Sequence, residues 1–465
     1  MPDSQKFGHP FIPNSAPKAR ERALKEIGIK DVEDIYATIP PELRFKDKLD
    51  LPKPFLSEVA LRRHVEGIIS KNKSAHEYLN FLGAGTWQHY VPAVCDEIAN
   101  RGEFLTAYGG GPYGDPGKLQ ALFESQSMLG EMLGMEAVAA PTYDWSAAVA
   151  SALLMACRLS GRREVLVPEN MSGERHAQIW NFVRPHTAVT KVKMDAATGR
   201  LDVKDLKAKV SDKTAGVYFE NPTYLGTIET EADAIVAAAH EKGALAIAGV
   251  DPITLGVLAP PSAYGADVAV GDYQTLGIHM YGGGGLGGFM ACADDPKLVH
   301  GLSTYLISVG DGQAKGERVF GYTEFHRTHY ETRAVAVDYT GTTQWLWGII
   351  GGVYLALLGP HGIRELGEGV MQRSRYAATV LGDLDGVRSP RLEGPFFKEF
   401  VVNFDGRKKT AAQVNKALLD RKIFGGLDLS KEFPSLGQSA LYCVTEVHTK
   451  DDIDTLASAL KEVLK

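Results

Sequence analysis

The sequence lacks the patterns that would place it in several large classes of protein. Its four cysteines lie far apart and form no C-x-x-C pair, so neither a disulfide framework nor a zinc ribbon is indicated, and a reducing cytoplasm is expected. The 50 basic and 57 acidic residues are spread along the chain, so no surface for nucleic acid or an anionic membrane is indicated. No apolar run approaches the roughly 18 residues of a membrane span. We expect a cytoplasmic protein that binds neither nucleic acid nor membranes.

Common site motifs are also missing. One G-x-G-x-x-G match, from Gly109, does not follow a strand, and another, from Gly283, lies between two strands and opens no helix, so neither indicates a dinucleotide site. There is no P-loop and no G-x-S-x-G elbow. His326 and His329 could share a helical face, but no third ligand accompanies them. The sequence therefore predicts no metal site.

What is present is an alternation, from about residue 60 to 335, of short apolar runs with segments of helical periodicity. The runs are apolar along their whole length, which is typical of strands buried on both faces of a parallel sheet. An apolar helix is predicted over 147–157, with Asp144 or Ser146 as its N-cap. The predicted strands lie at 164–168, 215–220, 245–250, 267–271 and 286–292.

The chain is predicted to have three parts. Residues 1–60 are Pro-rich and form an arm, which either lies across a partner or caps a domain. Residues 61–335 form a large α/β domain with a mainly parallel sheet, and residues 336–465 a smaller α+β domain. The elements predicted in the smaller domain are a helical stretch at 343–383, strands at 398–404 and 440–445, and an amphipathic helix at 452–465.

One stretch has the layout of a pyridoxal 5'-phosphate enzyme without its defining residue. In enzymes of the aspartate aminotransferase type, one strand end gives an Asp to the pyridine nitrogen, and the next gives a Lys that forms a Schiff base. Asp251 ends a strand in the right place for the first role. At the second place the chain reads G-D-Y-Q-T (271–275), and no lysine occurs between Lys242 and Lys297. No Schiff base can form there.

Several blocks, in order along nearly the whole chain, are similar to one family. They include FLGAGTWQHYVPAVCDEIANRGEFLTAY at 81–108, ENPTYLGTIE at 220–229, DPITLGVLAPPSAYGADVAVGDYQTLG at 251–277 and PFFKEF at 395–400. With these blocks the chain resembles the alpha subunit of the two-subunit glycine decarboxylase, the P-protein of the glycine cleavage system. Many short blocks in the right order are more specific than any single motif.

The resemblance implies a fold and a division of labour. The fold is that of the pyridoxal phosphate transferases (aspartate aminotransferase, fold type I). A beta subunit carries the lysine and the pyridoxal 5'-phosphate, and the alpha subunit, with no catalytic residue of its own, packs against it. The assembly that the resemblance implies is α2β2. The pair releases CO2 from glycine, a small amino-acid substrate, and transfers the aminomethyl group to lipoylated H-protein.

The resemblance also suggests positions for individual residues. Thr106 and Tyr108, and with them Tyr113, Asp338 and Tyr339, are candidates for the pocket at the subunit interface. The remaining candidates correspond to cofactor-site positions that have degenerated in this chain. Tyr143 and Asp144 stand where catalytic copies hold phosphate, with helix capping as the alternative role of Asp144; Asp251 is either a relic of the pyridinium partner or a structural strand-end residue; and Gln274 replaces the lysine segment.

Loops near the expected pocket depart from the family pattern. Family members read T-P-Y-Q-P-E where this chain has G-G-G-P-Y-G-D-P at 109–116, and the segments at 336–342 and 281–286 also differ. Scaffold retention with loop replacement is how a fold acquires a new substrate. Two alternatives therefore stand beside glycine decarboxylation. The chain is then either a subunit of a paralogous complex acting on another amino acid or one-carbon amine, or a non-catalytic scaffold or regulator.

Overall fold

Two units make up the chain, the N-terminal unit (Met1–Asn72) and the main unit (Lys73–Lys465). The structure is a computed structural model, and it describes residues 11–45, 47, 49–105, 117–283, 286–332, 334 and 344–465. The domain boundaries expected after residues 60 and 335 stay predictions.

The N-terminal unit consists of short helices and extended segments. Helix α1 (Pro17–Ile27) ends at Gly28, whose positive φ of 81° forms a left-handed C-cap. Helix α2 (Glu58–Ile69) begins after Ser57, whose hydroxyl accepts the N–H of Ala60. Prolines between them prevent a longer helix. None of the described residues of this unit is buried, so the described part of the unit has no hydrophobic core of its own.

The main unit is built on a large, mainly parallel sheet. Its spatial order over the described residues is β2-β8-β7-β6-β5-β3-β4, in which β8 runs antiparallel to both β2 and β7 and the other pairs are parallel. Each of the five strands predicted from the sequence is confirmed to within two residues. The strands are β1 (Leu79–Asn80, outside this sheet), β2 (Ala137–Val138), β3 (Glu164–Pro168), β4 (Ala188–Val192), β5 (Thr214–Glu220), β6 (Leu245–Gly249), β7 (Val268–Asp272) and β8 (Gly288–Cys292).

Helices cover both faces of this sheet, as its doubly buried strands require. The predicted apolar helix at 147–157 lies within α6, which packs across β5 to β8 on one face. On the other face α5, α9 and the later α11 pack together with the strands around Phe219, Ala248 and Phe289. The helices up to this point are α3 (Ala93–Ala99), α4 (Gly102–Leu105), α5 (Lys118–Leu133), α6 (Trp145–Ser160), α7 (Gly173–Val183), α8 (Val203–Lys209), α9 (Ala232–Glu241) and α10 (Pro296–Gly301).

Helix α11 (Trp345–Gly382) connects the large sheet to a smaller layer. Among the described residues it is the one helix long and apolar enough to cross a membrane, but 44% of its apolar window is buried inside the unit. The helix is interrupted at Gly359 (φ 59°, ψ −178°), followed by Pro360. It packs against α5 and α3, so it serves as a core helix of the main unit.

The smaller layer is an antiparallel sheet of order β11-β14-β13, packed against the C-terminal part of α11 and the last two helices of the chain. Lys398 immediately precedes β11, and its carbonyl accepts the N–H of Val444, just after β14. The beginning of β11 and the end of β14 therefore meet at one end of this sheet. The remaining elements are β9 (Ile307–Asp311), β10 (Arg318–Tyr322), β11 (Glu399–Asn403), α12 (Ala411–Leu419), β12 (Ile423–Phe424), β13 (Leu427–Asp428), β14 (Ser439–Cys443) and α13 (Lys450–Val463).

Candidate functional site

The candidate site lies at the carboxyl edge of the large sheet, where β6 and β7 end side by side. Because these two strands are parallel, the residues that follow them meet at the same edge. Asp251 follows β6, Asp272 ends β7, and Thr275 donates its hydroxyl to Asp251 Oδ1 at 2.9 Å. All three side chains are buried. This edge is where a doubly wound sheet offers a ligand site.

Asp251 is neutralised from within the chain. Lys398 Nζ lies 2.6 Å from Asp251 Oδ2, and the two side chains are 4% and 5% exposed. Burial alone would raise the pKa of Asp251, but the Lys398 ammonium outweighs it and lowers that pKa. The same ammonium stands over the Trp87 ring, 3.5 Å from its centroid. A buried carboxylate and a buried ammonium thus satisfy each other.

A second acidic group extends this network toward the segment before α3. His89 Nε2 lies 3.3 Å from Lys398 Nζ, and His89 Nδ1 lies 2.8 Å from Glu446 Oε2. Glu446 Oε1 accepts the backbone N–H of Tyr90 at 2.6 Å. Burial would raise the pKa of Glu446, but His89 and these hydrogen bonds lower it to about 2. Residues from three distant segments are joined here by charge and hydrogen bonds.

Gln274, the residue predicted from the sequence to replace the lysine segment, forms hydrogen bonds with both ends of its side-chain amide. Its Oε1 accepts the N–H of Trp87 at 3.0 Å, and its Nε2 donates to the Trp87 carbonyl at 2.9 Å. The amide also reaches the carbonyl of Ile278 at 3.2 Å. Gln274 is 1% exposed. Its role in this structure is to hold the Trp87 backbone.

The beginning of α6 is the place where a phosphate would be expected. Asp144 is the N-cap of α6, and its Oδ1 accepts the N–H of Ala147 at 2.7 Å. A carboxylate therefore already occupies the positive end of the helix, and its charge repels a phosphate. Tyr143, which precedes this N-cap, is 49% exposed.

An aromatic and charged cluster lies on the same side of the sheet. Arg175 Nη1 pairs with Glu220 Oε1 at 2.5 Å, and the guanidinium lies 4.2 Å from the centroid of a Trp145 ring. Tyr218 donates its hydroxyl to Glu220 at 2.8 Å and accepts Trp145 Nε1 at 3.0 Å. The four side chains are buried. Together they fill the space beside Asp251.

Between these groups only a small cavity is left in the described part of the chain. Its volume is about 30 Å³, and its walls include Trp87, Trp145, Arg175, Asp251 and Lys398. A single water needs roughly 10–15 Å³ measured in this way. The cavity therefore has room for one or two waters.

Five of the residues predicted from the sequence lie outside the described residues. They are Thr106, Tyr108 and Tyr113 in 106–116, and Asp338 and Tyr339 in 335–343. Their assignment to an interface pocket stays a prediction. Among the residues that the structure does describe, no group of three or more His, Cys, Asp or Glu side chains could hold a metal ion.

Comparison with known proteins gives the family. The glycine cleavage system P-protein family model matches residues 9–460. The chain belongs to the glycine cleavage system P-protein family. A relative from Staphylothermus marinus, named "Probable glycine dehydrogenase (decarboxylating) subunit 1", is 39% identical over 98% of each chain. One of the same name from Pyrococcus horikoshii is 38% identical over 98% of this chain and 100% of that protein. The resemblance found in the sequence is confirmed.

Solved structures confirm the fold class. A crystal structure of glycine decarboxylase (P-protein) of the glycine cleavage system, in inhibitor-bound form, has a TM-score of 0.83 and 34% identity, over 96% of this chain and 98% of that one. A Burkholderia pseudomallei sphingosine-1-phosphate lyase, 14% identical, has a TM-score of 0.64, and a NifS-like protein, 13% identical, has 0.61. The last two support the fold alone. The chain has the fold of type I pyridoxal phosphate enzymes.

Pyridoxal 5'-phosphate, the cofactor that this fold family implies, does not fit the site of this chain. No lysine stands near Gln274, and Asp251 is already paired with Lys398. The cavity of about 30 Å³ cannot contain a pyridine ring, and Asp144 is an anion where the phosphate would lie. The carboxyl edge keeps the family layout with its ligand space filled by protein.

The residue that fills this ligand space, Lys398, was not predicted from the sequence as a site residue. Lys398 was expected to begin a strand, with no role assigned to its charge. One signal was present, because Lys398 interrupts the apolar run P-F-F-K-E-F-V-V at 395–402. A lysine inside a buried strand pattern requires a buried anion as its partner. The sequence did not reveal which anion that was.

Proposed function

We propose that this chain is the alpha subunit of a pyridoxal phosphate-dependent glycine decarboxylase of the glycine cleavage system, an oxidoreductase that is inactive without its partner. A lysine-bearing beta subunit holds the cofactor, and the complex releases CO2 from glycine and transfers the aminomethyl group to lipoylated H-protein. Assembly as α2β2 and a cytoplasmic location are part of this proposal.

The observation that carries the proposal is the pairing of Lys398 with Asp251 in a chain of this family. The relatives are named for glycine dehydrogenase and as subunit 1, which supports a shared activity and a second subunit. A buried ion pair fills the ligand space of this chain, which supports the proposal that the cofactor is bound elsewhere. A partner that carries it accounts for both facts.

The N-terminal unit supports the existence of a large partner. Its described residues bury no side chain, and it exposes many large apolar ones, such as Leu56 (96%), Leu43 (74%) and Leu51 (70%). Exposed apolar surface on this scale is typical of an interaction site. We assign this unit to the interface with the beta subunit.

The contribution of the alpha subunit to the reaction is to shape the pocket between the subunits. Thr106, Tyr108, Tyr113, Asp338 and Tyr339 are the residues proposed to face that pocket. Loops on a rigid scaffold commonly carry binding residues. In this proposal the alpha chain binds and orients the substrates and takes no covalent part.

The test is co-expression of the chain with a lysine-bearing partner, followed by measurement of CO2 released from carboxyl-labelled glycine with lipoylated H-protein present. We expect release that requires both chains and disappears when the Schiff-base lysine of the partner is replaced by Ala. Full activity of the partner alone would contradict the proposal and favour a regulator or scaffold. A stable yellow complex that does not act on glycine would favour the paralogous complex for another amine.

A further inference from the structure

Lys398 contacts three segments of the main unit that are far apart in the sequence. Asp251 follows β6 of the large sheet, Lys398 precedes β11 in the small sheet, and Trp87 and His89 belong to the segment before α3. The ammonium group contacts all three neighbours, at 2.6 Å, 3.5 Å to the ring centroid and 3.3 Å respectively. One side chain therefore contacts three parts of the main unit that are far apart in the sequence.

We propose that Lys398 is a built-in replacement for a bound cation, which neutralises Asp251, fills the ligand space and holds the small sheet against the carboxyl edge of the large sheet. In this role Lys398 is a positioning residue. It keeps the main unit closed in the absence of any ligand and presents one fixed surface to a partner. The last point rests on the proposed function, whereas the closure itself concerns this chain alone.

The direction of the hydrogen bonds supports this role. An ammonium can only donate, so Nε2 of His89 accepts from Lys398, and Nδ1 carries the proton that is given to Glu446. Glu446 in turn accepts the N–H of Tyr90. The donor and acceptor roles in this series of hydrogen bonds therefore depend on the positive charge of Lys398.

Removing the charge also changes what surrounds Asp251. Without Lys398, the buried carboxylate keeps two neutral donors, the Thr275 hydroxyl and the Ile253 N–H, both to Oδ1, and must either take up a proton or draw water into the site. Both outcomes weaken the contact between the two sheets. Other ionisable groups interact with the pair, namely His89, Glu399, Asp272, Tyr354 and Cys443, and Arg175 lines the same cavity.

The test uses the full chain and the variant Lys398→Met, which keeps most of the side-chain stem but removes the charge. It is compared with the double variant Lys398→Met/Asp251→Asn, which removes both charges. The control is Lys461→Met, on the exposed face of α13. We expect Lys398→Met to lower the unfolding midpoint by about 5–10 °C, and the double variant to recover at least half of that loss. Hydrogen exchange at the amides of Trp87 and Tyr90 should become faster in Lys398→Met and slow again in the double variant.

The dependence of the midpoint on pH separates this role from simple packing. In the parent, burial raises the pKa of Asp251, but Lys398 lowers it by a larger amount, so the pKa lies below its ordinary value. The ion pair therefore stabilises the fold at pH values above the unfolded pKa, and this stabilisation is lost as pH falls. In Lys398→Met the sign is reversed, because a buried carboxyl without a cation is stable protonated. The midpoint should then fall as pH rises from 5 to 8, more steeply than in the double variant.

The proposal is overturned if Lys398→Met shifts the midpoint no more than Lys461→Met does, or if the double variant is as unstable as the single one, since shape and not charge would then matter. Failure of both Lys398→Met and the double variant to fold would also overturn the proposal. These measurements involve no partner and no glycine, so their outcome is independent of the activity assay that tests the proposed function. In the assembled complex, a lower kcat for Lys398→Met that the double variant restores would link closure to turnover.

Discussion

The backbone N–H of Ala84 donates to Glu399 Oε1 at 2.6 Å. Ala84 has a positive φ of 65°, and Glu399, next to Lys398, is buried. Burial raises the pKa of Glu399 to about 7, although Lys398 and this hydrogen bond act against the rise. The site thus holds a carboxyl group that changes its charge near neutral pH.

We predict that stability declines as pH rises through about 7 because of Glu399. Its folded pKa is raised from 4.5 to about 7, so its stabilising contribution is complete below the unfolded pKa and is lost as pH rises through the folded one. Glu399→Gln should therefore flatten the fall of the unfolding midpoint between pH 4.5 and about 7, the interval between the two pKa values. Glu393→Gln, on an exposed side chain, is the control. An unchanged slope in Glu399→Gln would contradict the assignment.

Glu446 should act in the opposite direction at acid pH. Its folded pKa is lowered from 4.5 to about 2, so its contribution is present above the unfolded pKa and is lost as pH falls through the folded one, by at most about 3 kcal/mol. Urea unfolding of Glu446→Gln between pH 2 and 5 should show a shallower decline than the parent, and lower stability at pH 7. Equal slopes would show that the His89–Glu446 pair does not persist in solution.

Replacing Arg175 by Met should destabilise the chain by about 3–5 kcal/mol, because Glu220 would stay buried without its cation. The double variant Arg175→Met/Glu220→Gln should recover much of this loss. Urea unfolding of the two variants and the parent gives the coupling between the residues. Additive losses would mean that the 2.5 Å contact contributes little.

Gln274→Ala should cost about 2–4 kcal/mol, since the buried N–H and carbonyl of Trp87 would both lose their partner. The control is Gln120→Ala, because the Gln120 amide contacts Glu124 on the surface of α5. Thermal unfolding compares the two. A loss at Gln274 no larger than that at Gln120 would show that water replaces the amide.

Charge introduced into the N-terminal unit should prevent assembly and leave the fold intact. Leu56→Asp and Leu51→Asp change side chains that are 96% and 70% exposed, so the unfolding midpoint of the isolated chain should move by less than about 2 °C. Each substitution should lower the affinity for the beta subunit at least about tenfold, because it removes an apolar contact from the interface. Size-exclusion chromatography measures the association. Unimpaired association would remove this unit from the proposed interface.

The large sheet could be predicted from the sequence because its strands are apolar along their length. β5 and β6 are buried at nearly every position, and that pattern has few other interpretations. β4 was missed because its sequence, A-V-T-K-V, is half polar and lies toward the sheet edge. The hairpin of β9 and β10 was missed for a similar reason, since its strands are partly exposed.

The site could be predicted in part. Asp251 and Gln274 were placed at the carboxyl edge from strand ends alone, because parallel strands bring their ends together. The ion pair could not be found in this way, since Lys398 comes from the small sheet and depends on how two layers pack. Packing between layers is decided by side-chain shape and charge across long separations in sequence, which local patterns do not contain.

The bonds made by Gln274 bear on how such a chain evolves. Regaining a cofactor would need a lysine near position 274, the loss of Lys398 and removal of the Asp144 anion. Each change alone weakens the fold, because each of these side chains now satisfies buried or capping groups. Intermediates that have made one change would be less stable and still inactive. Under the proposed division of labour between two subunits, the folding stability of this chain therefore opposes any return to cofactor binding.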